Sequence, residues 1–199
     1  QAFFERVLDP LLDSSMQYRD SIYAWEIINE PEWVVRGLFR RGPDRTVARK
    51  EMQAFIADCI RRIDGKRLPD GGRAFQASVG FAHWETIEKW RSDRLGITLR
   101  QFHYYAQKNR ALPDGMHAAD HPCVIGEFAT AAGRDWPDLM ARKEGQTLVN
   151  RLSCIASKRY PACFLWSAKA KDSATRWTEE AQREILAYNR LSSGNSFRG

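Results

Sequence analysis

The stretch Ser21–Pro31, SIYAWEIINEP, decides how the rest of the chain is read. Its bulky apolar run YAWEII reads as a buried strand, and Pro31, which has no N–H to donate, closes that strand just after Asn29-Glu30. Four further β-rich runs follow: RAFQASVG from Arg73, ITLRQFHYYAQ from Ile97, CVIGEFAT from Cys123 and ACFLWSAKA from Ala162. Between them lie stretches with helical spacing. A first helix, FFERVLDPLLDSSMQ, precedes the first strand. Others are expected over Pro43–Ile63 (with Asp44 near the start and Gly65 past the end), around HWETIEKWRSD, over Asp138–Lys158 and in EEAQREILAYNRL. Short strands alternating with helices are the pattern of βα units and a parallel sheet. The expected fold class is therefore α/β.

Five such units fit into 199 residues, whereas a complete eight-unit barrel takes about 250. The reading is a partial (β/α)8 TIM barrel holding the C-terminal five units. It forms one domain over residues 1–191 that lacks the first three units, with 192–199 as a disordered tail. A five-strand parallel sheet of this kind has two unpaired edges, and a second copy pairing along them would make a homodimer.

Bulk properties narrow the function. The chain is 43% hydrophobic and 28% charged, which suits a packed core. No run of 18 apolar residues is present, so no membrane partner is expected, and the N-terminus carries no signal peptide. The net charge of +6 is spread with acids interleaved, the character of a solvated surface and not of a nucleic-acid footprint. Cys59, Cys123, Cys154 and Cys163 form no CxxC pair and are expected as free thiols. His117 and His121 near Cys123 lack a fourth ligand at useful spacing, so no metal is expected.

The chemistry-bearing residues gather at strand ends. In a parallel barrel those ends build the active site. Glu30 can protonate a glycosidic oxygen while the Asn29 amide holds a sugar hydroxyl; the bland alternative is an Asn-capped turn. Glu127 ends a strand expected to be buried on both faces, and so is either functional or satisfied by a buried cation. It follows Glu30 by 97 residues (127 − 30), about three βα units. Alternation along Gln101-Phe102-His103-Tyr104-Tyr105 puts His103 and Tyr105 on one face and Tyr104 on the other. The Tyr105 hydroxyl is then able to donate to a carboxylate, and His103 to hydrogen-bond the acid or a substrate. Trp166 offers a flat face to a sugar ring, against a null of core packing. Trp33, Trp84 and Trp136 are weaker candidates for extending a cleft, and Lys169 and Asp172 for contacting hydroxyls.

WEIINEP, FHYY, VIGEF and FLWSAKAKD, in this order and spacing, resemble the clan A glycoside hydrolases, family 5 in particular. The resemblance covers about Ile22 to Trp166. It implies that Glu30 is the acid/base, Glu127 the nucleophile, His103 and Tyr105 flanking residues, Asn29 a ligand for the sugar 2-hydroxyl and Trp166 the sugar platform. It implies double displacement on a β-linked oligo- or polysaccharide without metal or cofactor, and secretion or a periplasmic location by analogy. The family's early-strand Arg and His have no counterpart here, which leaves the completeness of the site in question. A non-catalytic carbohydrate-binding or interaction protein built on a partial barrel is the competing reading.

Overall fold

The computed structural model describes residues 1–36, 47–105, 111–115, 122–130, 136–141, 145–167 and 176–195. His117, His121, Lys169 and Asp172 lie outside these, as do residues 43–46 of the expected second helix and 196–199 of the expected tail. The protein is α/β. It forms two compact units, Gln1–Phe102 and His103–Gly199. In each unit the lateral order of the strands is the order of the chain, and every strand pair whose register is described is parallel.

The first unit opens with a π-helical turn over Phe4–Leu8, helix α1 (Asp9–Ser15) and a 3-10 turn over Met16–Ser21. Strand β1 (Ala24–Asn29) pairs with β2 (Gln76–Phe81), which pairs with the start of β3 (Arg100–Tyr104). Between β1 and β2 runs α2 (Arg49–Asp64), and between β2 and β3 the short helices α3 (Trp84–Lys89) and α4 (Ser92–Leu95). Residues 47–48 are extended, with Val47 bridged to Val35, so α2 starts six residues later than the sequence implied. Its first turn is fixed by the Glu51 carboxylate, which accepts the Ala48 N–H at 2.8 Å. Met52, Ile56, Cys59, Ile60 and Ile63 recur at helical spacing and are buried, packing the unit's core together with Phe75, Ala77, Val79 and Phe81. The Arg62–Asp9 ion pair clasps α2 to α1, and Lys66–Asp13 does the same from just past the end of α2.

Strand β2 is buried along almost its whole length, but β1 is not. The expectation of a buried β1 is corrected: Glu26 and Asn29 are exposed and its remaining residues are half-buried. As the terminal strand of the order, β1 has only β2 beside it.

The second unit holds β4 (Cys123–Ala129) paired with β5 (Cys163–Trp166). The helix expected over 138–158 is broken into α5 (Pro137–Ala141) and α6 (Leu148–Ser157). Thr147 caps α6, its side-chain oxygen accepting from the Asn150 N–H at 3.2 Å. The closing helix α7 runs over Glu179–Asn195. Trp136 proves to be core: it is 3% exposed, with Tyr104 and Phe128 edge-on to its ring at 4.8 and 6.2 Å, so it is no cleft residue. All four cysteines are free thiols. Burial pushes Cys59 and Cys163 up to about 11.

Candidate functional site

In the first unit the site residues are Asn29 and Glu30, at the C-terminal end of β1. The β1–β2 ladder is regular from Ala24 to Glu26 and then slips, so that Asn29 stands opposite Gly80 with one extra residue in β1. Such a bulge bends a strand and re-aims the side chains beyond it. Directly after it Glu30 sits in the left-handed region, φ 44° and ψ 57°. For a residue with a Cβ this conformation costs roughly 1–2 kcal/mol. It is held from both sides: the Glu30 N–H donates to the Gly80 carbonyl at 2.6 Å, and the Glu30 carbonyl accepts the Trp33 N–H at 3.0 Å.

Pro31–Trp33 then form a 3-10 turn. Glu32, inside that turn, accepts the Ala82 N–H at 2.9 Å and so ties the loop to the end of β2. Burial raises the Glu32 carboxyl above its ordinary range, and the neighbouring Glu30 carboxylate adds to the rise.

In the second unit three of the sequence candidates come together. The Tyr105 hydroxyl donates to Glu127 Oε2 at 2.8 Å, the contact that alternation along FHYY predicts. His103 Nδ1 lies 3.2 Å from the same oxygen. Tyr104 points the other way, onto Trp136. Both His103 and Glu127 are buried, Glu127 at 9% exposure. The phenol on Oε2 fixes the orientation of the carboxylate.

Here too the ladder slips. Ile125 pairs with Cys163 and Phe128 with Leu165, so β4 carries one extra residue across Gly126-Glu127. The strand that bears each glutamate is thus bulged at or just before it. Nothing in the hydropathy pattern reports these two bulges.

Trp166 lies across from Ala129, two residues beyond Glu127, and is 48% exposed. It is therefore not a core residue. The Trp166–Ser167 peptide is cis. Trp33 is exposed and Trp84 half-buried.

The sequence reading missed Arg151. It lies on α6, on the apolar face made by Leu148, Leu152 and Ile155, and is almost wholly buried. Its guanidinium donates to the carbonyls of Ala129 at 2.7 Å and Thr130 at 2.5 Å, fastening the end of β4. Burial pulls it down to about 10, still charged at neutral pH. An arginine at helical spacing among apolar residues is a signal that the sequence did offer.

No protein-family model, no curated protein and no solved structure matches this chain.

Proposed function

We propose that the chain is a retaining β-glycoside hydrolase of the clan A type, acting on a β-linked oligo- or polysaccharide. The observation that carries this reading is the Glu127 carboxylate, buried at the end of a bulged parallel strand and clamped on Oε2 by Tyr105 and His103. A buried carboxylate held by a phenol and an imidazole at the C-terminal end of a parallel strand has the character of a nucleophile.

In the proposed reaction Glu127 attacks the anomeric carbon as Glu30 protonates the departing oxygen. The bond to the aglycone breaks as the glycosyl ester forms. Glu30 then takes a proton from water, which attacks the same carbon and frees Glu127. Asn29 holds the 2-hydroxyl and Trp166 stacks beneath the ring. Retention asks that the two carboxyl groups work about 5–5.5 Å apart.

The test is covalent labelling with 2-deoxy-2-fluoroglycosides. A stable ester on Glu127, found by peptide mass mapping, is expected, together with loss of turnover in Glu127→Ala and its rescue by azide. Turnover that survives Glu127→Ala would end the proposal. Oligosaccharide binding without any label would favour the non-catalytic carbohydrate-binding reading, for which the exposed Trp166 alone suffices.

A further inference from the structure

The β1–β2 ladder ends in an exchange of acceptors. The Glu30 N–H donates to the Gly80 carbonyl, and in a parallel ladder that simply continued, the Glu30 carbonyl would next receive the Ala82 N–H. It does not. The Glu30 carbonyl receives the Trp33 N–H instead, and the Ala82 N–H donates to Glu32 Oε1 at 2.9 Å. Ala82 is 6% exposed, so its N–H is shut off from bulk water and needs an acceptor from the protein. The Glu32 carboxyl supplies it.

This exchange bears on the direction of the Glu30 side chain. Were Ala82 to bond the Glu30 carbonyl, residue 30 would prolong the strand with an extended backbone. In the left-handed conformation that it adopts, φ 44° and ψ 57°, its Cα–Cβ bond is turned away from that course. The residues on either side restrict it further: Asn29 is in register with Gly80, and Pro31 has a fixed φ and no N–H. A side-chain oxygen two residues on thus takes the amide that would otherwise draw Glu30 straight. Burial raises the Glu32 carboxyl, and Glu30 adds to the rise, so it serves as an uncharged acceptor more readily than a surface glutamate would.

We infer that Glu32 is a positioning residue for Glu30: its carboxyl oxygen replaces the Glu30 carbonyl on the Ala82 N–H and so holds Glu30 in the conformation from which it delivers its proton. The inference rests on the glycosidase reading and adds to it a residue that acts only through its neighbour. What matters is the oxygen that accepts from Ala82, not the negative charge.

The experiment compares leaving groups. Aryl β-glucosides, β-mannosides and β-xylosides are made with dinitrophenyl, nitrophenyl and phenyl leaving groups, and kcat/KM is measured for the parent, Glu32→Ala and Glu32→Gln. A phenyl glycoside needs a proton from Glu30 to depart, and a dinitrophenyl glycoside does not. Glu32→Ala should therefore lose about 100-fold on the phenyl substrate and change little on the dinitrophenyl one. Its kcat on the dinitrophenyl substrate should fall, because Glu30 is also the base for water, and azide, which needs no base, should restore it. Glu32→Gln keeps an oxygen for Ala82 and should recover most of the phenyl activity. The ratio of rates on two substrates does not depend on how much of a variant is folded, so misfolding cannot imitate the result. An equal loss on all three leaving groups, no loss on any, or a Gln variant as impaired as Ala would overturn the inference. A 2-fluoroglycoside label on the parent beside any of these outcomes rejects the role of Glu32 and keeps the nucleophile; a parent with neither label nor turnover rejects both.

Discussion

Tyr105 contributes one atom to the proposed chemistry, and its role separates cleanly from its packing. Tyr105→Phe keeps the ring and removes the donor on Glu127 Oε2. Hydrogen bonds to charged groups contribute about 1.5–3 kcal/mol, so kcat/KM should fall roughly 10- to 100-fold. The deglycosylation step should slow as well, since the leaving carboxylate loses the same donor. Pre-steady-state burst kinetics with an activated aryl glycoside measure both. A variant that turns over like the parent would make the Tyr105–Glu127 bond structural. At this scale the sequence was partly readable: strand alternation put Tyr105 with His103 on one face and sent Tyr104 to the other, and the bond to Glu127 was one of the options it left open. Glu32 was not readable, because its bond to Ala82 depends on a turn geometry that hydropathy does not encode.

The elements were legible where a hydrophobic period was long enough to speak. Four of the five strands fall within the runs that predicted them, β2 overruns its own by one residue at Phe81, and α2 shows its buried stripe. Boundaries failed where tertiary contacts set them. The chain before Arg49 is drawn into a bridge with Val35 instead of joining α2, and the helix expected over 138–158 is broken. The bulges in β1 and β4 were invisible for a related reason: an extra residue in a ladder is a fact about two strands, and a single strand's pattern carries half of it.

Arg151 supplies the prediction at this level. Arg151→Met keeps the bulk on α6 but strands the carbonyls of Ala129 and Thr130 without their shared donor. Leaving a buried acceptor unsatisfied costs about 1–3 kcal/mol each. Chemical denaturation should register a loss of at least about 2 kcal/mol, and the segment at Arg176, whose carbonyl accepts the Thr130 hydroxyl, should become more protease-sensitive. An unchanged denaturation midpoint would show the guanidinium to be dispensable.

For the molecule as a whole, the free thiols give a pH dependence with a definite sign. Cys59 and Cys163 titrate near 11 when folded, against about 9 for an exposed thiol. The folded state therefore keeps their protons when the unfolded chain has begun to release them. Their contribution to stability is full below about pH 9 and is lost as pH rises toward 11. Denaturation midpoints should fall across that interval, and Cys59→Ala with Cys163→Ala should flatten the fall. At pH 8 a disulfide reagent should titrate Cys59 rapidly only after unfolding; fast reaction of Cys59 in the native protein would contradict its burial.

The α/β class and the order of strands were present in the alternation of runs. The half-exposed state of β1 was not, because an apolar strand reads the same whether it has one neighbour or two.

The left-handed backbone at Glu30 has one more implication. That torsion suits glycine or asparagine, and a screen for thermal resistance that ignored turnover would drift toward those residues there. Glutamate at such a place stands against the preference of its own main chain, and a laboratory selection that replaced it would gain a more relaxed fold at the expense of the proposed turnover.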